Sequence, residues 1–270
     1  MGKRENLYAN EFINYYIKLG VDKIFIYDDN DLKEESFMDV FNKLGEYKNF
    51  VEIYKNTSTI KHQSNAFTDC YNKNKVKFDW FLMIDMDEYL VIVNDILKNY
   101  LLQSIFKKCD FIKINWVIPS DNNLLNYDNR SLFERFKGPY AESIFIKSII
   151  RGNINNLKYW VHSPSFSPYK NTSCNSIGKI IKSNSILIES ISPIIIKKAY
   201  IIHFYFKSTE EFIHKLKRGY RDWFGNNNVL YDKLINYLES NKITKEKIDY
   251  LEKELKINLT IYRNKIKKIN

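Results

Sequence analysis

Apolar residues along the first part of the chain recur at two alternating spacings, and this alternation predicts an α/β fold. Over residues 7–19 the spacing is helical, and Gly20 follows where a C-terminal helix cap is expected. Residues 21–27 end in the apolar run Ile-Phe-Ile-Tyr before an acidic turn, which is typical of a buried strand. A helix over residues 36–44 and a strand over residues 50–54 repeat the order. Such alternation favours a doubly wound, mostly parallel sheet.

The remainder of the chain continues this pattern and then becomes helical. We expect two further helices, over residues 62–74 and 90–107. We expect further strands over residues 80–85, 111–116, 142–150, 159–162 and 194–206. Residues 118–140 contain two prolines and many Asn and Asp residues, which indicates a long loop. Everything after Ser208 has helical spacing. We therefore predict one domain over residues 1–206 and a helical extension over residues 207–270 packed on it.

An acidic cluster at the end of the predicted strand 80–85 is the strongest candidate for chemistry. Asp85 and Asp87 are two residues apart, so on an extended strand their side chains share one face. In open α/β sheets, ligands bind beyond the carboxyl ends of the strands, where paired carboxylates can hold a divalent cation together with a phosphate. Acidic pairs at this spacing also end strands in solvent, so the pattern alone leaves both interpretations open.

Composition narrows the class of protein. The 270 residues are 44% hydrophobic and 16% aromatic, which supports a substantial core. The formal net charge of +10 favours phosphate-bearing ligands, but the basic residues are spread along the chain, which argues against nucleic-acid binding. No run approaches the roughly 20 apolar residues of a membrane helix, and the first residues lack an apolar signal region. We therefore expect a soluble, cytoplasmic protein without a membrane span.

The cysteines point to the same compartment. Cys70, Cys109 and Cys174 are odd in number and far apart in the sequence. This spacing predicts neither a disulfide framework nor a zinc site. Because disulfides are rare in reducing compartments, the cysteine usage favours a reducing environment.

Several sequence blocks, in order, resemble glycosyltransferase family 92 and the related branch of family 2. They are Glu5 to Asp28; Gln63 with Asp85-Met86-Asp87-Glu88-Tyr89-Leu90; Asn115-Trp116 with Glu134-Arg135-Phe136; Lys147 to Arg151 with His162; and His203-Phe204-Tyr205 with Lys215 and Arg218-Gly219. The resemblance implies a GT-A-type fold and the transfer of a sugar from a nucleotide donor, with a UDP-sugar expected. It further implies a glycan or glycoprotein hydroxyl as the acceptor, Mn²⁺ or Mg²⁺ as the cofactor, and inversion at the anomeric carbon.

The same resemblance implies roles for individual residues. Asp85, Asp87 and His203 are the implied metal ligands, and Asp85 is also a candidate ribose contact. The implied donor-binding residues are Glu5, Asp28, Gln63, Asp85, Lys215 and Arg218. An inverting transfer needs a general base for the acceptor hydroxyl, and the candidates are Asp121 first, then Glu88 and Glu134. Trp116 and Trp160 are candidate platforms for a sugar ring.

Ordinary structural roles compete with each assignment. His203 lies in an apolar strand and fits a hydrogen-bonded core histidine, and Asp28 fits a carboxylate that satisfies its own turn. The family has a strand before the position of Glu5, whereas this sequence has only Met1 to Arg4 there, so we expect the first nucleotide-contacting strand to be cut or missing. One alternative function is therefore an inactive or partial glycosyltransferase-like, carbohydrate-binding protein. Another is a metal-dependent nucleotidyl or phosphoryl transferase that uses the same carboxylates.

Overall fold

A computed structural model describes residues 1–31, 33–57, 61–165, 171–183, 187–218 and 227–267. It divides the chain into two units: the first is Met1–Val117 with Glu142–His203, and the second is Ile118–Ala141 with Phe204–Asn270. The division into a 1–206 domain and a 207–270 extension stays a prediction. Residues 219–226 and 268–270 of that extension, which include Gly219 of the last motif, lie outside the described residues.

Helices and strands are mixed up to His203, and helices follow from Thr209 on. The helices are α1 (Asn6–Leu19), α2 (Phe37–Phe41), α3 (His62–Asn74), α4 (Leu97–Leu102), α5 (Leu132–Arg135), α6 (Thr209–Arg218), α7 (Asn227–Ser240), α8 (Lys245–Leu255) and α9 (Thr260–Lys267). The strands are β1 (Ile24–Asp28), β2 (Val51–Lys55), β3 (Trp80–Leu82), β4 (Glu88–Ile92), β5 (Phe111–Pro119), β6 (Tyr140–Arg151), β7 (Lys158–Tyr159), β8 (Pro164–Ser165), β9 (Ser173–Asn175) and β10 (Ala199–His203). Two 3-10 turns, Gly45–Phe50 and Ser104–Phe106, complete the connections.

The sheet of the first unit mixes parallel and antiparallel neighbours. Its strand order is β3-β6-β5-β10-β4, with β9 on β5. β10 runs parallel to β5 and antiparallel to β4, and β3 runs antiparallel to β6. β1 and β2 form a parallel pair of their own. The α/β class is confirmed in this mixed form, and the GT-A-type arrangement stays a prediction.

Helix α1 shows how the local sequence fixes the frame of the site. Gly20 adopts φ 95°, the left-handed conformation that ends a helix, and its N–H donates to the Ile17 carbonyl. The buried face of the helix includes Tyr16, whose hydroxyl donates to the Glu88 carbonyl and accepts from the Leu90 N–H, each at 2.9 Å. Tyr16 thereby attaches β4 to α1 through the backbone of the strand.

The segment after β3 differs from the sequence-based expectation. The strand predicted over residues 80–85 ends at Leu82, and the helix predicted over residues 90–107 begins only at Leu97. In between, residues 83–87 form a turn and β4 follows. Leu90, Val91 and Ile92 fit a helical or an extended pattern equally well, and the antiparallel partner that selects the strand, β10, lies far along the chain.

The prediction that the chain has no disulfide was wrong, because Cys109 and Cys174 are bonded across 65 residues. The parallel pairing of β5 with β9 sets Ile112 opposite Cys174, and sequence spacing carries no sign of such a long-range neighbour. Cys70 keeps a buried free thiol. The cysteines therefore no longer favour a reducing compartment, and the cytoplasmic location stays a prediction. Among the described residues, no helix is both long and apolar enough to cross a membrane.

The second unit has its own apolar core and its own buried ion pair. Phe206, Phe212 and Tyr237 belong to the core cluster, and the rings of Phe212 and Tyr237 stack with centroids 4.2 Å apart. Arg135 contacts the Glu211 carboxylate through two nitrogens, at 2.6 and 3.2 Å. Both residues are buried, and this two-point geometry is the one that best compensates a buried guanidinium.

Candidate active site

The predicted acidic cluster lies on a tight turn rather than on an extended strand. The Asp85 N–H donates to Glu88 Oε2 at 3.0 Å, and the Glu88 N–H donates to the Asp85 carbonyl at 3.2 Å. Short-range bonds of this kind between a side chain and the backbone stabilise a turn. Glu88 therefore closes the turn and also begins β4.

Side chains from two other elements hold the Asp85 carboxylate. Gln63 Nε2, on α3, donates to Oδ1 at 2.6 Å, and Lys147 Nζ, on β6, donates to Oδ2 at 3.0 Å. Burial is the largest influence and opposes ionisation, but the charge and hydrogen bond of Lys147 and the charge of the N-terminal amine together outweigh it and lower the pKa of Asp85. The structure thus brings two predicted donor-binding residues, Gln63 and Asp85, into direct contact.

Lys147 is the main site residue that the sequence analysis missed. Its side chain is fully buried, donates to the Val161 carbonyl at 3.0 Å and lies 3.5 Å from Glu88 Oε2. Burial lowers the pKa of a lysine, yet the Asp85 and Glu88 carboxylates raise the pKa of Lys147 above its usual value. The sequence did contain one signal for it, a lysine that lies among the isoleucines of β6. A lysine in such an apolar strand is expected to be buried, and a fully buried lysine is almost always paired with an acidic group.

His203 reaches this turn through strand pairing. It is the last residue of β10 and lies opposite Glu88 in the antiparallel register with β4. His203 Nε2 is 3.6 Å from Asp87 Oδ1, and His203 Nδ1 is 3.9 Å from Glu88 Oε1. Burial raises the pKa of Glu88 to about 8 despite the nearby charge of Lys147. Three predicted site residues, Asp87, Glu88 and His203, are therefore neighbours.

The predicted set of three metal ligands is assembled only in part. Within the described part of the chain, no group of three His, Cys, Asp or Glu side chains is close enough to hold a metal ion. Asp87 and His203 place one carboxylate and one imidazole side by side, a donor pair that suits Mn²⁺. Both Asp85 oxygens accept hydrogen bonds, from Gln63 and Lys147, and the role of Asp85 as a metal ligand stays a prediction.

Asp28 and Glu5, two predicted donor contacts, are both buried. Asp28 Oδ1 accepts from the Asn30 N–H at 2.9 Å, and Oδ2 accepts from Ser36 Oγ at 3.2 Å and the Phe37 N–H at 3.3 Å. Asp28 thus organises the connection from β1 to α2, as its competing structural role required. Glu5 precedes α1, and its side chain makes no capping hydrogen bond there. The donor-binding roles of both residues stay predictions.

Another set of buried polar side chains lies after β1, and the sequence analysis did not identify it. Asp29 Oδ1 lies 3.0 Å from His62 Nδ1 and accepts from Asn56 Nδ2 at 2.9 Å. All three residues are buried. His62 is the first residue of α3, so this group connects the carboxyl end of β1 to the helix that carries Gln63.

An aromatic cluster adjoins His203. The Trp116 ring, on β5, has its centroid 4.4 Å from that of His203, 5.1 Å from that of His162 and 5.9 Å from that of Phe145. Burial lowers the pKa of His162 to about 3, so its imidazole is neutral at physiological pH. Trp160, the other predicted platform, is 40% exposed.

Asp121, Lys215 and Arg218 belong to the second unit. Asp121 is 1% exposed, and its Oδ2 accepts from Tyr237 Oη at 2.6 Å and lies 2.6 Å from Lys247 Nζ. A buried carboxylate bound in this way is typical of a structural ion pair. Lys215 Nζ donates to a backbone carbonyl at 3.1 Å, and Arg218 is the last residue of α6. The catalytic role of Asp121 and the donor-binding roles of the two basic residues stay predictions.

Comparison with known proteins identifies the family of this chain. The model of glycosyltransferase family 92 matches residues 2–259. A glycosyltransferase family 92 protein of Oryza sativa subsp. japonica is 28% identical over 105 residues, which cover 37% of this chain and 18% of that protein. The chain therefore aligns with only a small part of this longer relative. Because the family model extends over nearly the whole chain, the chain belongs to glycosyltransferase family 92.

Proposed function

We propose that this chain transfers a sugar from a nucleotide donor, with a UDP-sugar expected, to a hydroxyl of a glycan or glycoprotein acceptor. The observation that carries the proposal is the contact between Asp87 and His203, which the β4–β10 register delivers beside the Lys147–Asp85 ion pair. Family membership supports the class of reaction.

The chemical demand of the reaction falls on the leaving group. As the bond between the anomeric carbon and the diphosphate lengthens, negative charge grows on the departing phosphate. Positive groups placed there before the reaction stabilise that charge without reorganisation. Mn²⁺ or Mg²⁺, held by Asp87 and His203, would supply this stabilisation as a Lewis acid. The two side chains are positioned in advance, because Asp87 lies on the closed turn and His203 at the end of a paired strand.

Lys147 and Gln63 have a positioning role in this proposal. Together they bond both oxygens of Asp85, so the carboxylate that begins the turn is fixed in orientation. Side chains that contact substrate need such supporting bonds, because small displacements of reacting groups reduce the rate strongly. Glu5 and Asp28 complete the proposed donor contacts in the first unit.

The acceptor hydroxyl must lose its proton when it attacks the sugar with inversion. A general base works best when its pKa is near the working pH, and burial gives Glu88 a pKa of about 8. Glu88 is completely buried, so it would have to act through a neighbouring group or water. Asp121, which the sequence analysis placed first because it lies in the loop after Trp116, stays the alternative candidate.

The proposal is tested by measuring the nucleoside diphosphate released from a panel of nucleotide sugars, with Mn²⁺ present. The wild type is expected to release UDP from at least one UDP-sugar, and Asp87→Asn is expected to lower that rate by about 100-fold. Asp22→Asn, the same change at an exposed turn position, is the matched control and should behave as the wild type.

Two results contradict the proposal. One is a wild type that releases no nucleoside diphosphate from any donor, which favours the carbohydrate-binding alternative. The other is an Asp87→Asn variant as active as the wild type. Consumption of a nucleoside triphosphate in place of a nucleotide sugar favours the nucleotidyl or phosphoryl transferase alternative.

A further inference from the structure

We propose that Trp116, Phe145 and His162, here called the aromatic platform, bind the pyranose ring of the substrate. This inference rests on the proposed glycosyl transfer and adds to it the side chains that recognise the sugar itself. All three residues belong to the first unit, together with Asp87 and His203.

The position of the aromatic platform favours a sugar over other ligands. The Trp116 and His203 rings are in edge contact with centroids 4.4 Å apart, and His203 in turn neighbours Asp87. If Asp87 and His203 hold the diphosphate of the donor, the platform lies beside a group that carries the nucleoside on one side and the sugar on the other. The unpaired ring nitrogens of the platform suit pyranose hydroxyls, so the proposal places the platform on the sugar side, next to the bond that breaks.

The platform contains two buried ring nitrogens that could form hydrogen bonds with a sugar. Among the residues that the structure describes, neither Trp116 Nε1 nor His162 Nδ1 has a hydrogen-bond partner, although both atoms are buried. Buried polar atoms are nearly always satisfied, so an unpaired one calls for a ligand or water. The indole N–H only donates, whereas a neutral imidazole nitrogen donates or accepts. Pyranose hydroxyls can serve both.

The shape and charge of the platform are also those of a sugar subsite. Trp116 is 7% exposed and forms the buried part, whereas Phe145 is 46% exposed and stacks on His162 with an interplanar angle of 29°. An aromatic surface with a few convergent polar atoms binds a ligand that has both an apolar face and polar edges. Because His162 is neutral, the platform itself attracts no anion, which separates it from a phosphate site.

The experiment compares UDP with UDP-sugars, because only the latter contain a pyranose ring. Dissociation constants for UDP, UDP-glucose and UDP-galactose are measured by calorimetry with Mn²⁺ present. Michaelis constants for donor and acceptor are measured in the transfer reaction. The variants are Trp116→Phe, which keeps a ring but loses the indole N–H, and Phe145→Ala, which removes an exposed ring. Trp80→Phe is the matched control, since the Trp80 ring instead contacts the Arg151 guanidinium at 4.2 Å.

We expect Trp116→Phe to weaken binding of the preferred UDP-sugar, or to raise the acceptor Michaelis constant, by about three- to tenfold, the effect of one net hydrogen bond. Phe145→Ala should act in the same direction, and UDP binding should not change in either variant. An effect on the UDP-sugar identifies the donor ring as the ligand, and an effect on the acceptor identifies the acceptor ring.

The inference is overturned if both variants match the wild type and Trp80→Phe in every constant, because the ring nitrogens are then simply hydrated. It is also overturned if the variants weaken UDP and the UDP-sugars equally. In both cases a wild type that still releases UDP leaves the proposed glycosyl transfer intact. A wild type that neither binds UDP nor releases it contradicts the proposed function itself. Phe145→Ala keeps the test decisive if Trp116→Phe does not fold, since Phe145 is half exposed.

Discussion

Replacing Lys147 with methionine is expected to destabilise the protein strongly, because it leaves a buried carboxylate without its cation. Lys147 Nζ is 3.0 Å from Asp85 Oδ2, and the lysine side chain is 0% exposed. Removing one partner of a buried ion pair costs about 3–5 kcal/mol. The Asp85 side chain retains 31% exposure and keeps the hydrogen bond from Gln63, so we expect a loss near the lower end, about 3 kcal/mol.

A second substitution separates the charge effect from lost packing. Asp85 Oδ2 lies closer to Lys147 Nζ than Glu88 Oε2 does, at 3.0 Å against 3.5 Å, so Asp85 carries most of the charge that Lys147 balances. Adding Asp85→Asn to Lys147→Met should therefore recover at least about 1 kcal/mol of unfolding free energy. Urea denaturation followed by circular dichroism at pH 7 measures both values, with Lys197→Met as the exposed control. A loss below about 1 kcal/mol in Lys147→Met, or a double variant less stable than the single one, refutes the reasoning.

Three further predictions follow from other parts of the first unit. Burial lowers the pKa of Lys113 to about 7, so above pH 7 this lysine holds a proton in the unfolded chain but not in the folded one. The unfolding free energy of the wild type, relative to that of Lys113→Met, should therefore rise by about 2 kcal/mol between pH 7 and pH 9. Urea midpoints across that range measure it, and parallel curves for the two proteins would contradict it. Replacing Cys109 and Cys174 with serine opens a loop of 65 residues and should lower the unfolding free energy by about 4 kcal/mol under non-reducing conditions, whereas a reductant should affect only the wild type. Gly152→Ala should lower the thermal midpoint clearly, because the added Cβ would lie 2.2 Å from the Phe78 carbonyl oxygen; an unchanged midpoint argues against this close approach.

The accuracy of the sequence-based predictions depended on whether the signal was local. The helix α1, its Gly20 cap and the bounds of α3 followed from apolar spacing and capping, which involve neighbours along the chain. The early end of β3 and the existence of β4 did not. β4 pairs with β10 and β3 pairs with β6, and such contacts between distant segments cannot be read from a periodicity.

The same difference between local signals and long-range contacts applies to the candidate site. The acidic motif was identified from its position at a strand end, and the family resemblance added His203; the strand register explains why Asp87 and His203 meet. The sequence did not reveal that Lys147 already neutralises Asp85, since a single lysine in a strand is usually exposed. The Cys109–Cys174 bond was hidden for a comparable reason, because it depends on the pairing of β5 with β9.

Calorimetric titration of UDP in the presence of Mn²⁺ is the sharpest test of the proposed donor site, because UDP binding reports on the Asp87–His203 pair and does not depend on the sugar or the acceptor. We expect the wild type to bind UDP, and we expect Asp87→Asn and His203→Gln each to weaken binding by about tenfold or more, with both variants folded. Undetectable binding by the wild type, or equal binding by all three proteins, would contradict the claim that this pair forms the donor site.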